Sequence, residues 1–169
     1  MENMNSTVAD WMRDAHAMEQ QAEKMLSSFT DRLESYPELK SQLLAHLDAT
    51  RQNQDLLRNA IENAGESTSA FKDLGAKLLA MSQTASGAAV EDEAVKGTLS
   101  IYVFQHMKIA SYTMLSVAAR HIGDPNTMAL CERILPKEIA LSEWLERYLP
   151  EITIKYLARV ANASDHAKR

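Results

Sequence analysis

The 169-residue sequence is poor in residues that interrupt helices and in residues that staple small folds, with five glycines, four prolines and one cysteine, Cys131. A lone cysteine cannot close an internal disulfide, and a chain of this length buries about two-thirds of its unfolded surface without one. Strand signals are missing too, because no stretch alternates apolar with polar residues or gathers β-branched ones over strand length. No apolar run reaches the roughly 18 residues of a membrane span. Basic residues do not dominate either, since 18 lysines and arginines face 23 acidic residues and leave a net charge of −5. That balance gives no electrostatic footprint for nucleic acid or for a membrane surface. The opening MENMNSTVADW has neither the charged region nor the apolar core of an export signal, so the expected location is the cytoplasm. Glycine-rich phosphate loops, nucleophile elbows and zinc-ligand spacings are also lacking.

What is present is helix-forming: alanine, leucine, glutamate, glutamine and nine methionines. The expectation is an all-α fold in one domain spanning residues 1–169, with 162–169 as a frayed tail. The stretch that organises the rest is 99–121, LSIYVFQHMKIASYTMLSVAARH, apolar around nearly its whole circumference. A helix of that kind belongs in the middle of a structure. Its polar exceptions are Gln105, His106, Lys108 and Tyr112, and helical spacing puts Lys108 on one face with Gln105 and Tyr112. A buried lysine needs matching carboxylates.

Those carboxylates are sought on the other helices. A first helix from Ser6 or Thr7, with Thr7 and Asp10 at capping-box spacing, runs to about Glu34 and carries Glu19 inside its apolar stripe. After the break at Ser35 to Glu38, a second helix reaches about Ala64, and the middle of its inward face is polar: His46, Thr50 and Asn53. A shorter crossover helix from about Thr68 to Thr84 follows, with Phe71, Leu74 and Leu78 on one side. The central helix begins behind Glu91, Asp92 and Glu93 and stops at Gly123. Asp124 caps and Pro125 opens the last long helix, where Pro136 predicts a kink and Glu138 shares the inward stripe with Leu135 and Leu141. Pro150 closes it, and a short helix covers about 151–161. Cys131 and the methionines read as core filling.

Four long helices thus each set a polar group at a core-facing position near mid-length: Glu19, His46 with Thr50, Gln105 with Lys108, and Glu138. Bundles of the ferritin-like kind build two-metal sites from inward Glu and His on facing helices in this manner. The segments DWMRDAHAMEQQAEKML (10–26), YPELKSQLLAHLDATRQNQ (36–54), DEAVKGTLSIYVFQHMKIASYTML (92–115) and ILPKEIALSEWL (134–145) resemble the YciE/YciF group of ferritin-like bacterial stress proteins. The resemblance implies a ferritin-like four-helix bundle with a crossover helix and a short C-terminal helix, a homodimer, and a role in stress without an established activity. It also implies a ligand pattern, from which this sequence departs. Glu19 matches the first-helix Glu and His46 the second-helix His, but Ala49 replaces that helix's Glu. Gln105 and Lys108 stand for a pair of glutamates, and Lys137 with Glu138 for another.

Two divalent cations call for about four carboxylates with His completing the shell. This chain offers two and adds an ammonium, which can take over the charge role of a metal by pairing with Glu19 and Glu138. The expected centre is therefore metal-free, with Thr50, Gln105 and Lys108 in a polar network and Glu19, His46 and Glu138 as a vestigial metal set, which His16 is spaced to join. The expected function is that of a non-enzymatic stress-associated protein acting through self-association or an unidentified protein partner. The alternative is an iron- or manganese-binding, ferroxidase-like oxidoreductase with an incomplete site.

Overall fold

A computed structural model describes residues 2–65 and 93–166. The described chain is helical, in four long elements: α1 (Glu2–Thr30), α2 (Pro37–Asn63), α3 (Glu93–Ile122) and α4 (Pro125–His166). α1 packs on α2 and α3, and α4 packs on α3 and α2, so the four form a square bundle. Arg32 pairs with Glu93, which sets the start of α3 beside the end of α1. α3 therefore runs antiparallel to α1 and parallel to α2, so the end of α2 and the start of α3 lie at opposite ends of the bundle. The expected crossover helix lies outside the described residues. Among them, no helix is long and apolar enough to cross a membrane.

The helix boundaries follow local chemistry. Pro37 occupies the first turn of α2, where a missing N–H costs nothing. α3 ends at Gly123, whose φ of +73° is natural only to glycine. The Asp124 N–H then reaches back to the Ala119 carbonyl at 2.9 Å, and the Gly123 N–H to that of Arg120 at 3.2 Å. Asp124 at once caps α4, its Oδ1 accepting from the Asn126 and Thr127 N–H groups at 3.0 and 3.1 Å.

Three boundaries differ from expectation. α1 starts at Glu2, so Ser6 and Thr7 lie inside the helix rather than capping it, and it ends at Thr30, ahead of Glu34. The short C-terminal helix is not a separate element, because α4 continues through both Pro136 and Pro150 to His166 and takes in part of the expected tail. Both prolines are exposed, as are Glu132 and Glu146, whose carbonyls the rings release from the ladder. Those carbonyls lie on the solvent side, where water can satisfy them. Beyond Pro150, the fully buried Ile152 holds the helix to the bundle.

The interior is layered. One apolar cluster, at the α1–α2 turn, includes Phe29, Leu39, Leu43, Ile101, Leu145 and Ile152. The other, at the far end, includes Val8, Leu57, Ile61, Leu115, Cys131 and Ile134. Gly97 gives the first cluster its close approach, because a Cβ there would run into the Phe29 ring. Between the clusters lies a polar layer.

Candidate functional site

The polar layer is built from the middle of each helix, two turns of α2 and of α3 and single residues of α1 and α4. α1 contributes Glu19, α2 His46, Thr50 and Asn53, α3 Gln105, Lys108 and Tyr112, and α4 Glu138, all buried. The side chains share a level because each sits on the stripe that its apolar neighbours drive inward, as Glu19 does between Ala15 and Ala22. Burial of the layer is thus a consequence of patterning. Its survival requires that every charge find a partner.

Lys108 is the centre of the arrangement. Its Nζ lies 2.9 Å from Glu19 Oε2 and 2.9 Å from Glu138 Oε2, with all three side chains withdrawn from solvent. Asn53 spans the same two carboxylates from the opposite side, its Nδ2 donating to Glu19 Oε1 at 3.2 Å and to Glu138 Oε1 at 3.0 Å. The Tyr112 hydroxyl donates to Glu19 Oε1 at 2.6 Å. Gln105 Nε2 donates to the Glu138 carbonyl at 3.0 Å and also to Glu138 Oε2. His46 Nε2 lies 3.2 Å from Glu138 Oε2. From the far side of Glu19 the network reaches the surface, where Gln54 donates to Glu23 at 2.7 Å and Arg51 donates to it at 2.9 Å.

The electrostatics follow the donor count. Burial alone raises the pKa of a carboxyl group, but His46, Lys108 and the hydrogen bonds at Glu138 overcome it and hold that group at about 2. Glu19 has fewer donors, and burial, with Glu138 close by, leaves its pKa above the ordinary value despite Lys108 and Tyr112. Burial also works against the Lys108 ammonium, yet the two carboxylates outweigh it and raise its pKa. Tyr112 is pushed well above the usual phenol range by burial and by Glu19. Cys131 is buried nearby with its thiol pushed up to about 12, so it is inert as a nucleophile.

The structure brings Glu19, Gln105, Lys108 and Glu138 into one cluster and sets His46 at its edge. Thr50 is at the same level and buried, but its hydroxyl has no hydrogen-bond partner among the described residues. It therefore lies beside the polar network without joining it. The inward pair spaced three apart on α2 is Thr50 and Asn53, whereas Ala49 is only half-buried. Lys137 is exposed beside Glu138 and takes no part. His16 is buried one turn before Glu19, with its pKa lowered by burial and by Arg58 of α2, against a smaller opposing pull from Asp55 on the same helix. Asn53 and Tyr112 are full members that site reasoning left out. Both were visible as polar residues at helical spacing from His46 and Lys108, and the missed signal was their hydrogen-bonding reach toward a carboxylate.

Ferritin-like bundles carry metals at this level, and the side chains here do not fit a pair of them. Only two carboxylates are available, and both are taken up by an ammonium. Among the described residues, no three of His, Cys, Asp and Glu converge as ligands. No metal-dependent step is derived from this site.

The fold has known relatives. A family model described as a domain of unknown function, DUF892, matches residues 4–158. Among solved structures, a Xanthomonas campestris pv. campestris protein is 31% identical, with 94% of this chain and 99% of that one covered and a TM-score of 0.79. The Escherichia coli stress protein YciF is 19% identical over 92% of this chain and 99% of its own, with a TM-score of 0.75. YcfI from Rhodopseudomonas palustris is 21% identical over 85% and 92%, at a TM-score of 0.69. The family model takes in nearly the whole bundle, all eight polar-layer residues included, so the chain belongs to the DUF892 family of YciE/YciF-type helical proteins.

Proposed function

We propose that this protein is a stress-associated structural protein, not an enzyme, whose bundle centre is a metal-free charge cluster and which acts by pairing with a second copy of itself. The observation that carries the reading is the position of Lys108 Nζ, 2.9 Å from both Glu19 and Glu138. An ammonium placed there supplies the positive charge that a metal gives in carboxylate bundles, and it cannot be exchanged with solvent. Among the described residues every member of the cluster is buried, which does not favour a site that takes in a substrate. The description of the Escherichia coli relative as a stress protein supports the biological setting.

Elemental analysis and calorimetry with Fe(II) and Mn(II) test the metal-free centre. The parent is expected to bind neither ion stoichiometrically. A variant with Thr50→Glu, Asn53→His and Lys108→Glu, which places acids and an imidazole at positions facing the centre, is expected to gain affinity. Two ions bound per parent chain would overturn the reading in favour of an iron- or manganese-dependent oxidoreductase.

A further inference from the structure

Away from the charge cluster, α1 and α3 leave a cavity of about 250 Å³ between them. Trp11, Asp14 and Met18 line it from α1 and Met107, Ser111 and Met114 from α3, each set stepping by three and four along one helix face. The middle rung of both ladders is polar, and the outer rungs are indole or thioether. Ala15 and Met18 are buried and form the floor, while Asp14 is exposed at the rim. None of these side chains belongs to the charge cluster.

The polar rungs have one chemical character. Ser111 Oγ donates to the Met107 carbonyl at 2.9 Å, which leaves its oxygen to a ligand as an acceptor. Asp14 makes no ion pair among the described residues, and its neighbour Arg13 is paired with Asp10. Partial burial and Asp10 hold the Asp14 carboxyl above its ordinary pKa of 3.8, with Arg13 pulling the other way. Counting Asp10, Arg13 and Asp14 together, this edge of α1 is net negative. The α3 wall brings no compensating cation. From Gly97 to Ala119 its only lysine or arginine is Lys108, locked between Glu19 and Glu138, and the His106 ring packs edge-on against Tyr102 at 4.5 Å.

We infer that this cavity binds a small organic ammonium ion, an amine carrying a compact apolar group. The apolar group rests on Ala15 and Met18 between the thioethers, and the ammonium stays at the rim, where the Asp14 carboxylate and the Ser111 oxygen accept its protons. Trp11 adds an indole, the ring that attracts cations most strongly. Methionine side chains are unbranched and polarizable, so three of them mould to apolar groups of different shape. The volume lies below the roughly 300–1,000 Å³ of sites for drug-sized ligands, which restricts the occupant to a small molecule. A carboxylate or phosphate would meet Asp14 as a like charge, so anions of the same size are rejected.

Phenethylamine is the probe, beside phenethyl alcohol and hydrocinnamate, which keep the ring and carry no charge or a negative one. Binding is followed by NMR on protein with methyl-labelled methionines, since three of the nine line the cavity. The amine is expected to shift the methyl signals of Met18, Met107 and Met114 saturably and to leave those of Met25 and Met128 in place. The alcohol is expected to bind at least tenfold more weakly, and hydrocinnamate to give no saturable shift. Asp14→Asn, a change at an exposed position that leaves the fold intact, is expected to weaken the amine at least tenfold without altering the alcohol. No saturable shift with millimolar amine would overturn the site, as would shifts centred on methionines outside the cavity. Equal binding of all three probes, or an Asp14→Asn variant that holds the amine as the parent does, would overturn the assignment of an ammonium ligand.

Discussion

The two faces of α3 reverse the usual arrangement of a bundle helix. The face turned to the core sets Thr98, Gln105, Lys108 and Tyr112 among the apolar Ile101, Leu115 and Ala119, all buried, while the face turned to water carries Leu99, Val103, Met114 and Val117. On the inward face every charge is matched within one layer, so a change there strands a partner in a medium that cannot solvate it. On the outward face the four apolar side chains are more than half exposed, so among the described residues little packing rests on them. The lesson is that the energetic weight of a position on this helix follows the pairing of its neighbours rather than its hydrophobicity.

The largest test of that contrast removes the ammonium. Lys108→Met leaves Glu19 and Glu138 facing each other without a cation, and loss of one member of a buried ionic cluster typically costs about 3 to 5 kcal/mol. Chemical denaturation should show that fall with an unchanged m-value, and a variant as stable as the parent would mean that the cluster is not the brace described above. Replacing Lys108, Glu19 and Glu138 together by apolar residues of similar volume should restore only part of the stability, because Asn53, Gln105 and Tyr112 then lose their acceptors.

Acid acts on the same face. Glu138 is held at about 2 against an ordinary 4.5, so its contribution is fully present above pH 4.5 and is lost as pH falls toward about 2. The loss amounts to on the order of 3 kcal/mol. Glu19 contributes with the opposite sign because its pKa is raised. Denaturant midpoints of Glu138→Gln beside the parent from pH 6 to pH 2 isolate the first effect, and the variant's curve should be the flatter of the two.

Thr50 sharpens the contrast from the α2 side. Its hydroxyl is buried against the layer with no hydrogen-bond partner among the described residues, so Thr50→Val should stabilise the fold by about 1 kcal/mol. A lowered melting temperature would show that the hydroxyl is satisfied after all. The smallest effect belongs to the outward face, where Val103→Thr should change the stability of the separated chain by less than about 0.5 kcal/mol. A larger loss, measured under conditions where association is absent, would mean that this face is packed within a single copy.

Much of the fold was legible because helix chemistry is local. Stripes at 3.6-residue spacing, Pro37 at the start of α2, and the Gly123, Asp124 and Pro125 sequence at the α3–α4 corner mark the described bundle without tertiary information. Pro150 misled for the same reason. Its cost depends on which side the released carbonyl faces, and that is settled by the docking of Ile152 and the exposure of Glu146. The site was legible in part. Glu19, Lys108 and Glu138 are anomalous on apolar stripes and so were visible, whereas Asn53 was legible as inward-facing on α2 but not as the bridge between two carboxylates, which depends on how α2 is set against α1 and α4. One residue of rotation turns a side chain by 100°.

The sequence by itself determined that the chain is helical, where most helices end, and that a lysine with two glutamates would be drawn inward. Each of these follows from the spacing of residues along one chain. Only the tertiary structure decided that the helix with the most apolar sequence would turn Gln105, Lys108 and Tyr112 to the core and leave Leu99, Val103, Met114 and Val117 in solvent. The physical reason is that α3 is hydrophobic all round and so has no preferred face of its own. Its rotation is set by the one interaction that cannot be met in water-free surroundings without a partner, the pairing of Lys108 with carboxylates from α1 and α4.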